Sequence, residues 1–136
     1  MRSIVVDTNA YVAFKRGDEG VVSALQRCPD ILMCATVLGE LLAGFACGTR
    51  DAQNRHELSL FLQSPRVRQV LCGSVTADNY ALIYAALRRK GKPIPSNDMW
   101  IAASTLEYGA GLLTLDAHFQ EVDGLKQGKT LVDFLP

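Results

Sequence analysis

The stretch Ile4-Val5-Val6-Asp7-Thr8-Asn9 decides how the chain is read. A short β-branched run stops at an aspartate, and a helical pattern starts at once. In an open α/β sheet, ligands gather in the crevice beyond the carboxyl ends of the strands. An Asp at that junction is buried at its base and free at its tip.

Outward from this stretch the pattern repeats. Thr8 to Lys15 reads as a short helix with apolar Tyr11, Val12 and Phe14, stopped by Gly17. Asp18 is placed to cap a second helix from Glu19 to about Arg27. Ile31 to Cys34 reads as the second strand and Thr36 as an N-cap. Val37, Leu38, Leu41, Leu42 and Phe45 then recur at the helical period, with Glu40 among them. A more polar helix runs from Thr49 or Asp51 to Gln63, and Val67 to Cys72 reads as strand three. Thr76 is expected to cap a helix that ends in Arg88-Arg89-Lys90 before Gly91, cations near the carbonyl end and a glycine just past it.

After the stiff loop Lys92-Pro93-Ile94-Pro95, Ser96 or Asn97 is expected to cap a helix from Asp98 to about Tyr108. Met99, Trp100, Ile101, Ala102, Ala103 and Leu106 make that helix apolar nearly all round, which marks a buried helix. Leu112 to Leu115 reads as strand four ending at Asp116, Ala117 to Glu121 as a helical turn, and Thr130 to Phe134 as strand five. Strand and helix alternate throughout. That predicts an α/β fold: a central, mostly parallel sheet of about five strands, helices on both faces and right-handed crossovers. With 136 residues and no linker or repeat, a single domain over 1–136 is expected.

Composition narrows the class. Apolar residues at 49 % and charged residues at 21 % are ordinary for a globular domain. No apolar run approaches the roughly 20 residues that span a bilayer, so no membrane association is expected. Met1-Arg2-Ser3 leads straight into a strand without a leader pattern, which predicts a cytoplasmic protein. Cys28, Cys34, Cys47 and Cys72 form no C-x-x-C pair, have mostly apolar neighbours, and read as reduced thiols. His56 and His118 show no ligand spacing relative to them, which argues against zinc. Zero net charge argues against broad, sequence-blind phosphate binding, yet is compatible with a nuclease whose acidic site is offset elsewhere.

The acids carry the chemistry. Asp7 and Asp116 each follow an apolar strand, Asp98 opens a buried helix, and Glu40 lies about one turn into the helix after strand two. In a parallel sheet, helices that follow strands begin on one edge, so these acids can meet in one crevice. Two unit charges about 4 Å apart repel by about 4 kcal/mol at an effective dielectric near 20. Either some carboxyls stay protonated or a divalent cation sits among them. All-oxygen ligands favour Mg²⁺ or Mn²⁺ over zinc, and such an ion supports phosphodiester hydrolysis. Singly, each acid has a plainer reading. Asp7 and Asp116 are ordinary caps, Asp98 answers a helix dipole, and Glu40 sits on a solvated face.

The motifs Val6-Asp7-Thr8-Asn9, Glu40-Leu41-Leu42-Ala43-Gly44, Asn97-Asp98-Met99-Trp100-Ile101-Ala102-Ala103 and Leu113-Thr114-Leu115-Asp116-Ala117-His118-Phe119 resemble, in order, those of PIN domains. More narrowly they resemble the VapC toxins of toxin–antitoxin pairs. The resemblance spans nearly the whole chain. It implies a three-layer α/β/α fold, Mg²⁺- or Mn²⁺-dependent cleavage of RNA, a homodimer, and a cognate antitoxin that blocks the crevice. Carried over by position, Asp7, Glu40, Asp98 and Asp116 form the catalytic quartet, Asp7 and Asp98 are the direct metal ligands, and Asn9 and Thr114 support the site.

Other features divide between structure and function. Arg88, Arg89, Lys90 and Lys92 are either helix-end cations or a rim that grips RNA phosphates. Trp100 reads as core rather than a base-stacking platform, and His118 as a surface residue rather than a base. Tyr11, Phe14, Leu42 and Phe45 are core, or a patch covered by a second subunit or an antitoxin. Two other functions compete. A non-catalytic PIN-like subunit would act with a partner in nucleic-acid binding, although the complete quartet speaks against it. An aspartyl-nucleophile phosphatase usually needs a second Asp where Asn9 stands.

Overall fold

The computed structural model describes residues 3–134; Met1 and Arg2, where the leader-free start was read, lie outside them. Five strands form one sheet: β1 (Ser3–Val6), β2 (Asp30–Cys34), β3 (Val67–Val70), β4 (Gly111–Leu113) and β5 (Gln127–Gly128). Their order is β3-β2-β1-β4-β5 and every pairing is parallel. Six α-helices flank it: α1 (Thr8–Lys15), α2 (Glu19–Arg27), α3 (Ala35–Ala46), α4 (Asp51–Leu62), α5 (Ser74–Lys90) and α6 (Ser96–Glu107). From β1 the chain steps outward to β2 and β3, then returns across the sheet to β4. With right-handed crossovers, those opposite directions put the intervening helices on opposite faces. The result is the expected three-layer α/β/α architecture.

Central strands buried on both faces read as continuous apolar runs. Val5, Val6, Leu32, Met33, Leu112 and Leu113 are indeed fully buried. The edge strand β3 is different. Arg68 and Gln69 are exposed there, and the Arg68 guanidinium forks onto Asp30, with Nε 2.9 Å from Oδ1 and Nη2 3.1 Å from Oδ2. The broken pattern of that strand is the pattern of an edge. Cys28 and Cys34 are buried, but Cys47 and Cys72 are exposed, so the apolar-surroundings reading holds for only the first two. No helix among the described residues is long and apolar enough to cross a membrane.

Several boundaries differ from the sequence reading, each for a local reason. Thr36 is not the cap of α3, because the helix starts at Ala35 with Cys34 in extended backbone before it. Thr76 sits three residues past the cap position Gly73, yet its hydroxyl accepts the Gly73 amide at 3.0 Å and so serves that end from inside. Helix α6 begins at Ser96, capped by Pro95, so Asp98 is its third residue. The fifth strand is not Thr130 to Phe134. Asp133 Oδ2 accepts the backbone amides of Lys129 and Thr130 at 2.9 and 3.1 Å and winds that segment into a 3₁₀ turn, Leu131–Phe134. The edge position beside β4 goes instead to Gln127–Gly128, tied by Leu112 N to Lys126 O and Thr114 N to Gly128 O. Gly128 must be glycine here, since a Cβ would lie 2.1 Å from Asp133 Cβ.

Candidate active site

The strand order reverses between β1 and β4, and a doubly wound sheet opens its ligand crevice at such a point. Asp7 stands there at the end of β1. Its backbone is extended and it caps α1: Oδ1 accepts the Thr8 amide at 2.8 Å. Oδ2 accepts the Thr114 hydroxyl at 2.6 Å. The residue is 4 % exposed. Burial raises its pKa from 3.8 to about 6; the two hydrogen bonds oppose that rise, and the nearby Asp98 and Glu40 charges add to it.

Asp98 enters from the first turn of α6 and is also buried. Burial raises its pKa too, against the hydrogen bond from His118 and together with the charges of Asp116 and Glu40. Glu40 projects from the middle of α3. Thr8 donates its hydroxyl to Glu40 Oε1 at 2.6 Å, and the Asn97 amide donates to Oε2. A hydroxyl and an amide from other elements thus hold the Glu40 carboxylate. Asp116 lies three residues beyond β4, not directly at its end, because the strand stops at Leu113. It caps the 3₁₀ turn Ala117–Glu121, with Oδ1 accepting the His118 amide at 2.9 Å.

All four acids thus line one cleft of about 370 Å³, together with Thr8, Asn9, Pro95, Asn97 and His118. Asn9 works from the wall: its Oδ1 accepts the Leu115 amide at 2.9 Å and fixes the chain between β4 and Asp116. The Thr114 hydroxyl, besides donating to Asp7, accepts the Asp116 amide at 3.0 Å.

His118 is what sequence reasoning missed. Its Nδ1 lies 3.2 Å from Asp98 Oδ2 and 3.1 Å from Asp116 Oδ1. The ring is half exposed, as a surface residue should be, but it hangs over the acids. The available signal was local. A histidine two residues after a capping Asp on a tight turn is held beside that Asp. The Asp98, Asp116 and His118 donor atoms all lie within 4.8 Å of one another, close enough to share one ion. The imidazole departs from the all-oxygen set expected from the sequence: carboxylates suit Mg²⁺ and Mn²⁺, whereas imidazole suits softer ions; the buried, mutually repelling acids fit a dication. Asp7 shares the cleft but stands outside that tightest grouping.

The basic run lies elsewhere. Arg88, Arg89, Lys90 and Lys92 are exposed at the far end of α5 and none lines the cleft. Lys90 Nζ is engaged, donating to Glu121 O at 2.7 Å and to Asp123 Oδ1 at 3.0 Å. Trp100 is half-buried and stacks on Tyr80 with ring centroids 4.2 Å apart. Tyr11 is core, whereas Phe14, Leu42 and Phe45 are only partly covered.

The chain is similar to known proteins. Ribonuclease VapC4 of Mycobacterium tuberculosis is 29 % identical over 79 residues, covering 58 % of this chain and 61 % of that protein, so less than two thirds of the relative is matched. Among solved structures, VapBC2 from Rickettsia felis, bound to a DNA fragment from their promoter, aligns with a TM-score of 0.82 at 24 % identity over 93 % of this chain and 97 % of its own. VapC20 of M. tuberculosis, described as a sarcin-ricin loop cleaving toxin, aligns with a TM-score of 0.60 at 25 % identity over 86 % and 92 %. The family model for the PIN domain matches residues 4–125, a span that takes in all four acids, and the chain belongs to the PIN domain family.

Proposed function

We propose that the chain is a Mg²⁺- or Mn²⁺-dependent endoribonuclease, the toxin of a cytoplasmic toxin–antitoxin pair. The observation that carries this reading is the convergence of Asp7, Glu40, Asp98 and Asp116, from four separate segments, in one cleft where burial and mutual repulsion raise two of their pKa values. Such a cluster asks for a dication, which when bound polarises a phosphodiester and lowers the pKa of water. Asp98, Asp116 and His118 would hold it, with Asp7 completing the set.

The rest is done by the chain. Thr8 N and Thr114 each occupy one lone-pair direction of Asp7, so its carboxylate is fixed with its remaining lone pairs available. Glu40, clamped between Thr8 and Asn97, is the carboxylate we assign to take the proton of the attacking water. Preorganised groups of this kind need no rearrangement during the reaction. Asn9 holds the Leu115 amide and so keeps the Thr114–Asp116 segment at the cleft wall.

The relatives named above carry ribonuclease and cleaving-toxin descriptions, and VapBC2 was solved bound to a fragment of promoter DNA; both facts support the reading. For the antitoxin we assign the groove of about 500 Å³ between α1, α3 and α4 as an anchoring surface distinct from the crevice it blocks, where Tyr11 and Phe45 offer an apolar floor and Arg16, Arg50 and the Glu57-paired Lys15 a mostly basic rim. For a second copy we assign the α5 face that exposes Val75 and Leu82.

The test is cleavage of structured and single-stranded RNA by the purified protein with Mg²⁺ or Mn²⁺, against EDTA, alongside Asp7→Asn and Glu40→Gln. Metal-dependent scission by the wild type, lost in both variants without loss of fold, is expected. Scission that survives in Asp7→Asn, or none by the wild type under any of these conditions, overturns the assignment. The second outcome favours a non-catalytic binding subunit.

A further inference from the structure

The acidic cleft does not end at Asp116. A second groove, of about 230 Å³, starts at that residue and is lined by Leu115, Ala117, Gln120, Gln127 and Lys129 among others. The larger groove between α1, α3 and α4 shares no lining residue with the cleft. A polymer whose reacting phosphate lies among the acids must leave the cleft somewhere, and this groove adjoins it at Asp116, which lines both.

We infer that this groove is the subsite for the nucleotide adjoining the cleaved phosphate: Lys129 binds that nucleotide's own phosphate, Leu115 packs on its base, and the amides of Gln120 and Gln127 read the base edge. The inference rests on the ribonuclease reading above. Its support is the chemistry of the lining. Leu115 is a large apolar side chain left 43 % exposed in the wall of this groove, and its amide is held by Asn9 of the acidic cleft. Amide side chains carry a donor and an acceptor together, which is what an unpaired base edge requires. RNA is recognised with sequence preference mainly where bases are splayed from single strands onto such groups. An ammonium serves as a point charge for a phosphate.

Two acids also line the groove, each with one carboxylate oxygen engaged. Asp116 faces His118 through Oδ1. Asp133 Oδ2 accepts the amides of Lys129 and Thr130 and the Thr130 hydroxyl, which holds its pKa below the ordinary value. The same bonds set the backbone of Lys129, and the missing side chain at Gly128 lets the 3₁₀ turn close against β5. The walls are therefore built before any ligand arrives, which lowers the ordering cost of binding.

The experiment compares wild type, Gln120→Ala/Gln127→Ala and Lys129→Ala on short single-stranded RNAs randomised around a site the wild type cleaves. Binding of the same RNAs is followed by fluorescence anisotropy with Ca²⁺ replacing Mg²⁺. The double variant should lose base preference at one position beside the scissile bond, with KM raised about 10-fold and kcat retained, the signature of lost uniform binding. Lys129→Ala should weaken binding of all sequences alike and reduce the slope of log K against log salt by about 0.7, one single-strand phosphate contact. If replacing Gln127 unsettles β5, Gln120→Ala and Lys129→Glu, both at exposed side chains, carry the same test. A wild type that cleaves RNA while all these variants keep its preference and salt slope overturns the subsite alone. A wild type that cleaves nothing removes the ribonuclease reading on which it stands.

Discussion

The Thr114 hydroxyl stands 2.6 Å from Asp7 Oδ2 and joins the ends of β4 and β1 across 107 residues of sequence. It also accepts the Asp116 amide at 3.0 Å, so one side chain positions two of the four acids. Its bond to Asp7 favours the ionised carboxylate and opposes burial. Thr114→Val keeps the shape and removes the hydroxyl. Asp7 should then titrate above its present value, and the acid limb of the activity profile should move to higher pH. Loss of a hydrogen bond to a buried charged group costs about 1–3 kcal/mol, which thermal denaturation will read. Thr114→Ser should restore both properties. Identical profiles and melting temperatures for Thr114→Val and the wild type would deny the hydroxyl this role.

Asp7 makes a prediction about pH. Its pKa is about 6 in the folded protein against 3.8 for the ordinary group, chiefly through burial. The folded state therefore holds this proton more tightly than the unfolded state. That contribution to stability is fully present below about pH 4 and is lost as pH rises through about 6. Roughly two pH units at about 1.4 kcal/mol each put the loss near 2–3 kcal/mol at neutral pH. In EDTA, Asp7→Asn should melt above the wild type at pH 8, and the gap should nearly close at pH 4. Asp98, raised for the same reason, keeps part of the pH slope in the variant. Mg²⁺ at pH 8 should stabilise the wild type and narrow the gap. Parallel melting curves across pH for the two proteins would remove burial of the Asp7 charge as a source of strain.

Why Asp7 was legible and His118 was not follows from range. Asp7 closes a β-branched strand and opens a helix, so its place in the crevice is written in adjacent residues. Asp98 is nearly as plain, because the apolar girdle from Met99 to Ala103 fixes α6 in the core. His118 depends on where the 3₁₀ turn aims its ring, and on Asp98 arriving 20 residues earlier in sequence from another element. Thr8 and Asn97, which clamp Glu40, are likewise defined by contacts 32 and 57 residues away. The misplaced fifth strand has the opposite cause. Thr130 to Phe134 holds the β-branched and aromatic residues Thr130, Val132 and Phe134 that favour a strand, but Asp133 reaches nearby backbone amides and short-range bonding of that kind outcompetes a ladder.

The clamp on Glu40 can be tested apart from stability. Asn97 is exposed, and surface replacements usually change stability by no more than about 0.5 kcal/mol. Asn97→Ala should leave the melting temperature nearly unchanged while the carboxylate loses one of its two donors. Misplacing a catalytic group by about 1 Å can cost 100-fold in rate, so kcat should fall by about 10- to 100-fold. Asn97→Asp keeps the shape but sets a second negative charge against Glu40, and should be more damaging than alanine. A rate unaffected by either change means that Glu40 needs no such support.

The basic run at the end of α5 should separate into two functions. Lys90 Nζ ties that helix end to the Glu121 carbonyl and Asp123. Its ion pair is largely exposed, with the Asp123 side chain 78 % accessible, so its electrostatic share is held to the surface range of about 0–1 kcal/mol. Lys90→Gln should therefore lower the melting temperature slightly. Among the described residues Arg88, Arg89 and Lys92 make no comparable tie, and RNA phosphates are the partners we propose for them. Replacing those three together with Gln should leave the melting temperature alone. It should also reduce the slope of log K against log salt by about 0.7 for each single-strand phosphate contact removed. Anisotropy titrations of single-stranded RNA across a KCl series, with Ca²⁺ in place of Mg²⁺, supply the slope. An unchanged slope in the triple variant would assign these cations to helix-end electrostatics, since a side chain that neutralises no phosphate releases no counterion.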